Sequence, residues 1–183
     1  GNSARQSYQA AFVGSGLTGP VGGELHDFDP GPGVDSRLTI QQSRATVYIM
    51  QWRDRFSSVS GAPGAQTDLD FCIYNPVGAP GPSWCSYDWN IGLDPIEGIV
   101  PVDNNGVPLN SGTFEISIER WDGPAPNPVK IVMYGNIAFG EAYAGTSAST
   151  IVGHANAAGS NAVGASAFFL TPAFGEDPPV LNY

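Results

Sequence analysis

The chain has 183 residues, 42% of them hydrophobic, enough for one domain with a core and too apolar for disorder. Its formal net charge is −10, and its seven basic residues (Arg5, Arg37, Arg44, Arg53, Arg55, Arg120 and Lys130) are scattered. No patch of them neutralises several phosphates or an anionic bilayer, which excludes nucleic acid and membrane surfaces as expected partners.

Composition also limits the fold. There are 24 glycines and 16 prolines but only 13% charged residues, and no collagen period. Such a chain turns often between short strands. It opens without an initiator methionine or a basic-then-apolar leader, and no apolar run has the length of a membrane span. It therefore reads as a piece of a longer protein, with residues 1–23 as a lead-in.

The first strand signal is "SRLTIQQSRATVYIMQWR", residues 36–53. It divides into two short strands around Gln42-Ser43-Arg44. Leu38 and Ile40 alternate with polar residues, whereas Val47 to Met50 run together, as in a strand covered on both faces. In "DLDFCIY", Leu69, Phe71 and Ile73 point one way and Asp68, Asp70, Cys72 and Tyr74 the other.

The turn-forming "PVGAPGP" follows, and then "WCSYDW". If the two strands pair about Ala79, Cys72 faces Cys85, close enough for a disulfide. Such a bond would stabilise the fold by about 3 kcal/mol on the chain-entropy model and would imply a secreted, periplasmic or cell-surface setting. Two ordinary thiols on neighbouring strands are the alternative.

"TFEISIERW" is the clearest strand. Phe114, Ile116 and Ile118 form one face, and Glu115, Ser117 and Glu119 the other. "PVKIVMYGN" is a further strand. The clusters "DPGPGVD", "SSVSGAPGAQ", "VDNNGVP" and "WDGPAPNP" are turns. This spacing predicts an all-β fold over residues 24–140, an antiparallel, jelly-roll-like β-sandwich of about seven to nine strands.

After Ala138 the chain becomes rich in Ala, Gly and Ser. Within residues 141–183, Thr150 to Ala158 is expected to form a short helix capped by Ser149, and "NAVGASAFF" a strand.

Two groups of side chains suit ligands. Acids cluster in "HDFDPGPGVD", in "TDLD" and at Asp88. Asp27, Asp29, Asp68 and Asp70 have the oxygen chemistry of calcium ligands; a solvated acidic face is the alternative, and EF-hand spacing is absent. Trp84 and Trp89, with Trp52, Trp121 and nearby tyrosines, suit a platform for sugar rings or peptide chains; packing inside the core is the alternative. His26, His154 and the two cysteines match no zinc spacing.

The stretch "GTSASTIVGHANAAG", from Gly145, resembles the nucleophile loop of subtilisin-like serine peptidases. Ser147 would be the nucleophile. That family orders its triad Asp, His, Ser. Only His26 precedes Ser147, no aspartate precedes His26, and "ELHDFDPG" lacks the glycine and second histidine of the family motif. No proline follows shortly after Ser147, and His154 lies on the wrong side. A hydroxyl without a base and an orienting acid is not activated. Ser147 is expected to be a serine in a small-residue loop, and no catalytic residue is assigned.

The resemblance to subtilases is carried instead by "GHANAAGSNAVGASAFFLTPAFG", Gly153 to Gly175, which is similar to a catalytic-domain helix leading into a "VGA" strand. "PPVLNY" resembles the lead-in to that family's "FSS-G-P" segment. "TDLDFCIYNPVG", "DPIEGI" and "SGTFEISIER" resemble strands of pre-peptidase C-terminal domains, with Phe71-Cys72 replacing the usual apolar-aromatic pair. The resemblance implies a non-catalytic sandwich inserted in a secreted serine endopeptidase, whose catalytic core would be its partner. Residues 141–183 would be the return into that core. Protein or glycan substrate would be a further partner, and calcium a common companion of such sandwiches. The alternatives are a carbohydrate- or protein-binding module and a stand-alone serine hydrolase.

Overall fold

The structure is a computed structural model that describes residues 6–29 and 31–148; the helix and strand expected beyond Ser149 lie outside them. Nine strands form: β1 Ser7–Ala10, β2 Gly14–Thr18, β3 Glu24–His26, β4 Leu38–Trp52, β5 Asp68–Tyr74, β6 Trp84–Ser86, β7 Ile96–Ile99, β8 Gly112–Asp122 and β9 Val129–Phe139. A single helical turn, α1 Ser57–Ser60, is the one helix among the described residues.

All named strand pairings are antiparallel. Two long strands organise them. One edge of β4 pairs with β9 from Ile40 to Trp52; its other edge pairs first with β8 at Leu38–Gln42 and then with β7 at Tyr48–Gln51. Strand β8 likewise pairs with β5 along one edge and, along the other, with β4 and then β3. A long strand that changes partner along its length, with a bulge between the two pairings, can pass from one layer to another. The sheet therefore curls into an antiparallel, sandwich-like half-barrel, as the strand pattern predicts.

The core lies between the curled layers. Leu38, Ile40, Tyr48 and Met50 of β4 meet Leu69, Phe71 and Ile73 of β5, Phe114, Ile116 and Ile118 of β8, and Ile131 and Met133 of β9. Each large side chain removed from water in this way contributes about 1.5–3 kcal/mol. The predicted inward faces of β5 and β8 are the observed ones. The opposite face of β5 is covered as well, so all seven of its residues are buried.

Besides the exposed Val47 and half-buried Ile49, which leave one face of the Val47–Met50 run partly open, three features depart from the sequence reading. First, the two strands expected on either side of Gln42-Ser43-Arg44 are one strand. Register shifts between Gln42 and Val47 absorb the polar residues while pairing with β9 continues. Thr46 is buried there against Gly135 of β9, and a Cβ at Gly135 would lie 1.9 Å from the Thr46 hydroxyl, so only glycine fits.

Second, the folded unit is longer than 24–140 at both ends. Strands β1 and β2 join the sheet, and residues 145–148 pair with β1. These edges are short and polar, which left them without a hydrophobic pattern. Third, the expected strand "WCSYDW" ends at Ser86 and passes into a loop.

Cys72 and Cys85 are directly opposed on β5 and β6, with Cα atoms 4.1 Å apart, and are joined by a disulfide. Arg37 and Glu115 hold the proline-rich connection between these strands. Arg37 donates to the Ala79 carbonyl at 2.9 Å and pairs with Glu115 at 3.2 Å, and Glu115 accepts the Gly78 amide at 2.8 Å. Replacing both cysteines by serine should lower the unfolding free energy by about 2–4 kcal/mol. Urea denaturation with and without reductant tests this: wild type under reduction should match the double variant.

Candidate functional site: a buried acidic cluster

Strand β5 carries Asp68 and Asp70 on the face shared with Cys72 and Tyr74, because side chains alternate along a strand. That face is shielded, and both aspartates are nearly inaccessible, at 3% and 2% exposure. Asp70 stands opposite Glu119 of β8. In β7, Glu97 and Ile99 point inward while Ile96 and Gly98 point out, so Glu97 is buried to 3% exposure. The loop after β6 brings Asp88 and Asn90 to the same region.

The hydrogen bonds tie these residues together. The Asn90 backbone amide donates to Asp68 Oδ1 at 3.1 Å, and Asn90 Nδ2 donates to the carbonyls of Asp94 and Ile96. The Ser86 hydroxyl donates to Glu97 Oε2. Glu97 Oε1 and Asn90 Oδ1 are buried without any hydrogen-bond partner.

Burial raises the Asp70 carboxyl to about 7, with Asp68, Glu97, Glu119 and Asp88 adding like charge. Burial also raises Glu97 to about 7, against the stabilising hydrogen bond from Ser86. Asp68 is raised by burial and by Asp122, and lowered in part by the Asn90 amide. Glu119 is differently placed. It accepts the backbone amides of Val21 and Gly23 and so fastens the turn between β2 and β3 to β8.

The four aspartates suggested as calcium ligands are not one group. Asp68 and Asp70 lie on β5, along one edge of β8; Asp27 follows β3, which pairs with the other edge. Asp27 Oδ1 accepts the amides of Asp29 and Asp35 at 3.2 and 2.9 Å, and Asp29 accepts the Gly31 amide. Their oxygens hold their own loop, the ordinary use of aspartate in turns. Among the described residues no three acidic, histidine or cysteine side chains form a ready metal-binding group.

The two tryptophans also separate. Trp84 packs edge-on against Phe114, with centroids 6.1 Å apart, because it shares the inward face of the hairpin with Ile73. Its exposed edge borders a cleft of about 410 Å³ with Asn75, Asp103 and Leu109. Trp89 is exposed in the loop after β6, beside exposed Tyr87. Trp52 is in the core, and Trp121 is half-exposed at the far end of β8.

Ser147 has φ +59°, in the left-handed region. It is held between Thr146, which bonds to Tyr143, and Ala148, whose amide donates to the Ser7 carbonyl at 3.2 Å. His26 is used in the core: Nε2 pairs with the Tyr8 hydroxyl at 2.6 Å, and Nδ1 with the backbone of Val13. Burial lowers this imidazole to about 4, so it is neutral at pH 7. His154 lies outside the described residues.

Glu97 and Asn90 were not singled out from sequence. Glu97 had a signal, since in "IEGI" an acid shares a strand face with Ile99. Asn90 had none. Comparison with protein families, curated proteins and solved structures finds no significant match.

The raised carboxyls set a pH dependence. In the folded chain Asp70 and Glu97 titrate near 7; unfolded, such groups titrate near roughly 4. Between these values the folded state holds protons that the unfolded state releases. The neutral core His26 acts in the opposite sense between about 4 and 6.5, but two carboxyls outweigh one imidazole, so in buffer containing a chelator stability should fall as pH rises from about 4 to 7 and level off above. Urea denaturation at pH 5 and pH 8 measures this, and Asp70→Asn should reduce the loss.

Proposed function

We propose that this chain is a non-catalytic β-sandwich domain inserted in a secreted subtilisin-like serine endopeptidase. The observation that carries the reading is the pairing of the domain's two ends. Gln9 N donates to the Gly145 carbonyl at 2.8 Å, Tyr8 and Thr146 form an antiparallel bridge, and Ala148 N reaches Ser7 O. A domain whose chain enters and leaves at one place can be spliced into a surface loop without parting the host's own elements. The segment after that exit has the "GHANAAG…AVGA" resemblance to a subtilase core.

Two further observations agree. The disulfide suits an oxidising compartment. The core histidine has both ring nitrogens engaged and is no base for Ser147. In this role the domain would shape access to the host's active site, hold part of a protein substrate or stabilise the enzyme outside the cell. The host's reaction would be peptide-bond hydrolysis through an acyl-enzyme.

A fluorophosphonate probe should leave Ser147 unlabelled, and the purified chain should not digest casein. Stoichiometric labelling of Ser147 would overturn the proposal, as would a full reading frame without subtilase Asp and His motifs before this segment. Exposed Tyr87 and Trp89 favour a second reading, a glycan-binding module. A saturable change in tryptophan fluorescence with oligosaccharide, lost in Trp89→Ala, would support it; no change across a glycan panel would exclude it.

A further inference from the structure

We propose that the buried oxygens of Asp70, Glu97 and Asn90 bind a hard divalent cation, calcium foremost. The argument starts from two orphan atoms. Three buried side-chain nitrogen or oxygen atoms lack a hydrogen-bond partner among the described residues, and two of them, Glu97 Oε1 and Asn90 Oδ1, belong to this one region. Both are oxygen acceptors. A buried acceptor without a donor is destabilising and is retained only where something satisfies it.

The second observation concerns what surrounds them. The charges acting on Asp70 all come from acids: Asp68 on its own strand, Glu97 on β7, Glu119 on β8 and Asp88 in the loop after β6. The arginines that form ion pairs are committed elsewhere, Arg37 to Glu115 and Arg120 to Glu24. Neighbouring protein groups therefore supply like charge where opposite charge is needed.

The Asn90 side chain lies beside the Glu97 carboxylate, while its backbone amide holds Asp68. It thus joins two of the acids and adds a neutral oxygen that no proton on its own amide can satisfy. A proton on Glu97 Oε1 could pair the two orphan oxygens with each other, but it would leave Asp70 and its acidic neighbours without opposite charge. A cation satisfies the oxygens and the charge together.

The donor chemistry selects the ion. Carboxylate and amide oxygens with no nitrogen or sulfur ligand suit calcium or magnesium rather than zinc or copper. The protein ligands would be two carboxylates and one amide oxygen, with water completing the shell. Asp68, held at Oδ1 by the Asn90 amide, and Glu119, held at both oxygens by the Val21 and Gly23 amides, would supply further negative charge.

The test uses the full chain at pH 8, melted in calcium chloride and in chelator at equal ionic strength. Calcium should raise the midpoint by roughly 5 °C at saturating concentration, and calorimetric titration should find one ion per chain. At pH 5.5 the shift should shrink, because protons compete for the same oxygens. Glu97→Gln and Asp70→Asn should each lose the shift, while Asp103→Asn, in an exposed turn, should keep it.

Equal midpoints in calcium and chelator would overturn the proposal. So would a calcium shift that survives in both variants, which would mean diffuse binding to an acidic surface. If the variants fail to fold, terbium luminescence of the unmodified chain decides. One saturable ion displaced by calcium supports the site, and absent or unsaturable emission overturns it.

Discussion

Strand β4 belongs to both layers of this protein, and the remaining strands are placed by it. From Ile40 to Gln42 it lies between β8 and β9; from Tyr48 to Gln51 it lies between β7 and β9. Backbone amides and carbonyls must find partners wherever they are buried. A fifteen-residue strand can satisfy that demand only if its neighbours change as the sheet curls. The irregular register around Arg44 makes the change possible, and the close approach of Thr46 to Gly135 fixes where it happens. Leu38, Ile40, Tyr48 and Met50 all reach the one core from this strand.

The acids illustrate how context divides one residue type into several uses. Glu119 is almost fully buried but accepts two backbone amides from the turn above it. Glu115 is held by Arg37 and the Gly78 amide. Asp27 closes its own loop. In each case donors compensate the loss of water, as a buried charge requires. For Asp70 and Glu97 that compensation is incomplete: Glu97 accepts the Ser86 hydroxyl at one oxygen and nothing at the other. Desolvation and neighbouring acids both favour their neutral form, and this is why the region is sensitive to protons and suited to a cation.

The ends of the domain are held by backbone pairing, and its hairpin is held covalently. Residues 145–148 run beside β1, while β5 and β6 are joined by Cys72–Cys85. Tyr8 connects these ends to the core. Its ring packs against Phe28 with centroids 5.0 Å apart, and its hydroxyl meets His26. A domain closed at the point where it joins the rest of its chain can sit in a host without sharing a core with it. The insertion reading rests on this geometry.

Much of the fold was legible because burial imposes a period. Phe114, Ile116 and Ile118, and Leu69, Phe71 and Ile73, alternate with polar residues, and both sets face the core as their spacing predicts. The position of Cys72 opposite Cys85 followed from symmetry about a turn rich in Gly and Pro. Local sequence thus determined the all-β class, the principal strands, their inward faces and the hairpin register, since these depend on side-chain alternation and turn chemistry within one segment. It did not determine which strands share an edge. The continuity of β4, the inclusion of β1 and β2, the covering of the second face of β5 and the meeting of Asp70, Glu97 and Asn90 all arise between segments distant in the chain. Only the closed sheet decides them, because burial and electrostatic neighbourhood are properties of space and not of sequence order.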